Sequence, residues 1–98
     1  MTLDDILQDI YALEEEMRTY ERKYSVLSET FYESYVNGEE PHDEAWVRDW
    51  TAWASAYQLW LRRREQYRAA IQSLRAETES ITEMIAKTAR HEPIPIPA

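Results

Sequence analysis

"ETESITEMI", residues 77 to 85, decides how this 98-residue chain folds. Ser80 followed by Glu83, just ahead of Met84 and Ile85, is a capping-box pattern that can start a helix afresh. The same residues also continue a heptad. Trp46, Trp50, Trp53, Tyr57, Trp60, Arg64, Tyr67, Ile71, Leu74, Thr78, Ile81, Ile85 and Thr88 succeed one another in steps of four and three, with Arg64, Thr78 and Thr88 as polar members. Residues 43–90 contain neither glycine nor proline. Because the heptad phase survives the capping box, the spacing predicts one continuous helix over 43–90, roughly 70 Å long at the α-helical rise.

Upstream, a second seam runs through Leu3, Ile6, Ile10, Leu13, Met17, Tyr20, Tyr24 and Leu27 without a miss. Thr2 with Asp5 reads as its capping box, and Asp4 and Asp5 suit the positive end of the helix dipole. This predicts a helix over 2–27. Between the seams, Ser25 and Ser28 can each begin a new helix, and Phe31, Tyr32, Tyr35 and Val36 give a short amphipathic one over 28–37. Asn37 and Gly38 then read as its stop, and Asp43 as the N-cap of the long helix.

Two seams joined by a short bend define an all-α fold. It is a coiled-coil-like antiparallel helical hairpin with a short connecting helix and one very long C-terminal helix, in a single domain over 1–92. The lengths do not match. With Leu27 placed beside Trp46, Leu3 falls opposite about residue 70 at equal rise. Ile71, Leu74, Ile81, Met84 and Ile85 then project past the first helix. An apolar stripe of that length is expected to pair with the same region of a second copy, a homodimer contact over those five residues, or with another protein.

The end, "HEPIPIPA", cannot be helical, since each proline lacks an N–H and restricts the residue before it. Residues 93–98 are expected to be extended, either as a loose tail or docked on a partner through Ile94 and Ile96. On the docking view, removing residues 93–98 weakens partner binding and leaves helicity unchanged.

Composition excludes several functions. The chain has no cysteine, so disulfides and thiolate metal sites are ruled out. A net charge of −8 argues against direct nucleic-acid binding, which needs Lys and Arg on phosphates. Residues 1–45 carry 13 acidic and 3 basic side chains, against 6 and 8 in residues 46–98. The acidic half suits either the basic half or a basic partner protein. No apolar run is long enough for a membrane span, and the first ten residues lack the basic start of a secretory signal, so the expected location is cytoplasmic. No phosphate loop or nucleophile motif occurs. Glu39 and His42 have Glu-x-x-His spacing once only, around a proline, where a di-iron centre needs the motif on helices with further carboxylates. The chain is therefore expected to be no enzyme and to need no cofactor.

The four tryptophans at 46, 50, 53 and 60, with Tyr57 among them, exceed what a seam of Met17, Tyr20 and Tyr24 requires. They read either as aromatic core or as a stripe partly presented to a partner. Trp, Tyr and Arg dominate binding hot spots, so Trp46, Trp50, Trp53, Tyr57 and Trp60 are the candidate partner-binding residues.

"YERKYSVLSETFYESYVNGEE" with, further on, "DWTAWASAYQLWLRRREQY" resembles a family of small helical antitoxins encoded beside TumE-type toxins in prokaryotes. The resemblance covers about residues 18–68. It is carried by Tyr20, Glu21, Lys23, Tyr24, Ser28, Phe31, Tyr32, Gly38, Glu39 and Trp50 or Trp53. The family often has glycine where this chain has Ser25, which implies a less sharp bend here. The resemblance implies an antitoxin that binds and silences a cognate toxin protein acting on RNA. The residues alone leave a second reading open, a structural coiled-coil adaptor with no toxin.

Overall fold

The computed structural model describes residues 1–77 and 80–96. The seam position of Thr78 and the last two residues of the proline-rich tail lie outside these. The chain is all-α. Helix α1 spans Leu3–Tyr24, α2 Ser28–Val36, α3 Val47–Ala76 and α4 Ile81–Ala89, with a 3₁₀ turn over Glu44–Trp46 before α3. The chain divides into two compact units. One is Tyr11–Leu61; the other combines Met1–Ile10 with Arg62–Ala98.

Local chemistry sets each boundary. The capping box of α1 is reciprocal: Thr2 N–H donates to Asp5 Oδ2 at 2.8 Å, and Asp5 N–H donates to Thr2 Oγ1 at 3.3 Å. Those bonds hold the Asp5 carboxyl below its ordinary range. The helix stops at Tyr24, short of the expected Leu27, because Ser25 takes the left-handed conformation at φ 57°. The turn that a glycine would favour is therefore made by a serine, at a steric cost. Ser25→Gly is expected to raise stability by about 0.5–1 kcal/mol, the relief of strain less the entropy of glycine. A denaturant midpoint that falls would show that Ser25 is not strained.

Helix α2 closes as the Asn37–Gly38 pair suggests. Gly38, at φ 93°, donates its N–H to Tyr35 O, and Glu39 N–H donates to Ser34 O, both at 3.1 Å. Asp43 caps the 3₁₀ turn through a bond from Ala45 N–H at 2.9 Å.

The continuous helix over 43–90 is not found. Ser80 is extended, at φ −88° and ψ 160°, and its Oγ accepts from Glu83 N–H at 3.1 Å. The i→i−4 ladder cannot pass through such a residue. The capping box outweighs the heptad because a heptad records which side is apolar, not whether the backbone continues. Helix α4 ends in a second left-handed residue, His91 at φ 61°. Glu92 N–H donates to Lys87 O at 2.8 Å and His91 N–H to Thr88 O at 3.0 Å, a Schellman closure with Pro93 directly after it.

The discontinuous unit buries Leu3, Ala70, Leu74, Met84 and Ile94 together, with Tyr67, Ile71 and Ile96 against them. Leu3 does lie beside residues 70 and 74, but α4 and the tail also belong to this core. The expected dimer contact is accordingly corrected. Leu74 and Met84 are buried in the chain's own core, so neither is offered to a second copy, and Ile71 packs half-buried against that core. Only Ile81 and Ile85 remain exposed, at 44% and 64%.

The tail is corrected too. Leu3 N–H donates to Ile94 O at 2.9 Å, Ile96 N–H donates to Met1 O at 3.4 Å, and Thr2 and Pro95 form an isolated antiparallel bridge. Residues 93–96 are extended as expected. Ile94, however, anchors the segment in this chain's core rather than waiting for a partner. Arg63 Nε meets Asp9 Oδ2 at 3.1 Å in the same unit, pairing a base of α3 with an acid of α1.

Candidate protein-interaction surface

The contiguous unit, Tyr11–Leu61, is built around Trp53, which is 1% exposed. Its ring lies parallel to Phe31 with centroids 3.9 Å apart, while Tyr20 and Tyr24 stack at 5.8 Å each. Its indole N–H donates to Ser28 Oγ at 2.8 Å. Ser28, buried at the first position of α2, bonds Glu21 Oε2 through both its hydroxyl (2.7 Å) and its backbone N–H (2.9 Å). A carboxylate from α1 thus caps α2, and the polar tip of the most buried ring is satisfied by the same link. Ser28 is therefore not the side-chain cap suggested by its type; Leu27 holds the N-cap position and makes no side-chain cap bond.

The other aromatic residues spread outward from this centre. Trp50 meets Phe31 edge-on at 5.3 Å and Trp46 meets Tyr24 edge-on at 6.1 Å. Tyr57 lies 4.7 Å from Tyr32 and 5.6 Å from Trp60, whose indole donates to Glu14 Oε2 at 3.2 Å. Of the five candidate partner-binding aromatics, Trp53 is fully internal and cannot meet a partner. Trp50, Tyr57 and Trp60 are half-buried, and Trp46 is exposed. The stripe is mainly core, with its margins at the surface.

Asp49 closes one end of the unit. Its Oδ2 accepts from Lys23 Nζ and from Tyr24 Oη, each at 2.6 Å. The two donors hold the Asp49 carboxyl below its ordinary range, and the carboxylate in turn raises Lys23. Burial is the largest cause raising the phenols of Tyr20, Tyr24 and Tyr57. A raised folded-state pKa contributes stability that is complete below the unfolded value and is lost as pH climbs through the folded one. Unfolding is expected to set in above pH ~10, with helical dichroism falling as tyrosinate absorbance grows. Dichroism that stays flat through the tyrosinate transition would count against burial as the cause.

The surface of this unit combines acid with apolar area. Between Tyr24 and Val47 there are six acidic residues, Glu29, Glu33, Glu39, Glu40, Asp43 and Glu44, and no lysine or arginine. The same stretch exposes Val26, Leu27, Val36, Trp46 and Val47. Two grooves open here. One, of about 430 Å³, is floored by Tyr35, Trp50 and Val47 with Pro41, Gly38 and Thr51, and is edged by Glu39 and Glu40. The other, of about 280 Å³, lies beside Leu27, Tyr57 and Trp60, with Glu14, Glu21 and Arg18 in its wall. Trp50 Nε1 is buried and has no acceptor among the described residues.

Among the described residues no group of three or more His, Asp or Glu side chains is placed to hold a metal ion, and no helix is long and apolar enough to cross a membrane. No protein-family model, curated protein or solved structure matches the chain.

Spacing alone misses the Glu21–Ser28–Trp53 link. The grooves open where α2 and its exit meet seam residues of α1 and α3, and the two seams do not describe α2 or its exit.

Proposed function

We propose that the chain is a non-enzymatic protein-binding module, an antitoxin that neutralises a basic cognate toxin by covering it with the Tyr11–Leu61 unit. The observation that carries this reading is the surface between Tyr24 and Val47, where acidic and exposed apolar side chains alternate and no lysine or arginine is present. Such a surface attracts a basic protein at long range and can then bury apolar contact with it. The resemblance to antitoxins of TumE-type pairs supports the same reading. A cytoplasmic location goes with that role. The test is expression of the small reading frame adjacent to this one. It is expected to arrest growth alone, to be harmless with this chain, and to co-purify untagged with it. Normal growth with the neighbour alone, confirmed as expressed, would exclude the antitoxin role.

A coiled-coil adaptor is the second reading, favoured by Ile81 and Ile85, which α4 leaves exposed. On this reading a homodimer forms through α4. Ile81→Glu with Ile85→Glu is expected to halve the mass seen in sedimentation equilibrium while leaving helicity intact. A wild-type chain already monomeric at high concentration disposes of the adaptor.

A further inference from the structure

We infer that the groove at the exit of α2 is a docking site for an arginine- or lysine-rich segment of the partner protein, with a cationic side chain held against Tyr35 and Trp50 by Glu39 and Glu40. This rests on the protein-binding reading above and adds the place and the chemistry of contact.

Four observations converge on it. The floor is aromatic and aliphatic, so it can take the methylene stem of a long cationic side chain and offer ring faces to its head. The edge carries two exposed carboxylates, and neither Glu39 nor Glu40 has an ion pair among the described residues. The flanking cations do not neutralise it: Lys23 is committed to Asp49, and Arg48 does not line the groove. Trp50 lines the groove, and its buried indole N–H has no acceptor among the described residues. The second groove is a weaker candidate. Its Glu14 and Glu21 are already bonded to Trp60 and Ser28, and Arg18 stands in its wall.

The test uses the full chain, ¹⁵N-labelled, at low salt. The probe is a synthetic peptide alternating arginine and leucine, with a glutamate-for-arginine version as its control. The expected result is a shift of the Trp50 indole and of the Tyr35, Gly38 and Thr51 amides, abolished by the acidic peptide. Glu39→Gln with Glu40→Gln is expected to weaken binding about tenfold, while the equal charge change Glu15→Gln with Glu16→Gln, on the exposed face of α1, weakens it less than about twofold. Both pairs are exposed, so neither variant challenges folding. Equal weakening by the two variants, shifts spread along α1, or no binding of the arginine peptide overturns the proposal. Those outcomes leave toxin rescue and co-purification untouched, so the antitoxin reading can stand if the groove falls. Loss of rescue with the peptide still bound separates the two in the other direction.

Discussion

Trp53→Ala is expected to remove about 3–5 kcal/mol of stability, the cost of emptying a large, fully buried aromatic site. Small domains hold only about 5–15 kcal/mol in total, so the variant should be partly unfolded at ambient temperature. Three terms add. The ring is 1% exposed, so nearly all its apolar area returns to water. It is the shared face of Phe31, Tyr20 and Tyr24, so three stacking contacts are lost at once. Its N–H satisfies Ser28 Oγ, which would stay buried beside Glu21 with one partner fewer. Trp53→Phe isolates the last term and is expected to cost less, about 1–2 kcal/mol beyond the smaller ring. Far-UV dichroism against urea reads both. A Trp53→Ala loss below about 1 kcal/mol would mean that the cavity collapses and Trp53 is not the centre of its unit.

The second large effect is expected at Ile94. Ile94→Ala should cost about 2 kcal/mol, at the low end for a buried isoleucine because an extended segment outside the helices can shift to refill part of the void. Ile94 is 7% exposed and packs with Leu3, Leu74 and Met84. The clearest readout is the Leu3 amide, which donates to the Ile94 carbonyl and should exchange with solvent far faster in the variant. Removal of residues 93–98 is therefore expected to uncover Leu3 and loosen α4, with a loss of helicity, against the sequence expectation that helicity is unchanged. Undiminished protection of the Leu3 amide after Ile94→Ala would show that the tail does not hold this core.

How much of this is legible in the chain differs by element. The helical class, the reciprocal Thr2–Asp5 cap, the stop at Gly38 and the cap at Asp43 are set by residue chemistry within a few positions, and each is readable. The seam through Leu3, Ile6, Ile10, Leu13 and Met17 is readable too, and all five are buried. Ser80 is ambiguous because two local signals conflict. A break there depends on what the segment beyond can bury, and Met84 finds Leu3 and Leu74 only in three dimensions. An unbroken helix then turns core residues into a dimer contact. The tail misleads for a related reason, since its partner is the first turn of the same chain. At the aromatic unit, the contacts around Trp53 join residues that no local pattern links. Tyr20, Glu21, Tyr24, Ser28, Phe31 and Trp53 form one contact set. The exposed side chains around the groove, Glu39, Glu40 and Val47 among them, lie off the two seams, so periodicity does not bring them together.

The two cores also differ in when they can form on the ribosome. Tyr11–Leu61 is unbroken in sequence, so its aromatic centre can close while synthesis is still under way. The other core joins Leu3 to Ile94, about ninety residues further on, and must wait until that stretch has emerged. During that delay Leu3, Leu74 and Met84 are uncovered, and a nascent chain stalled before residue 94 presents them to chaperones and proteases.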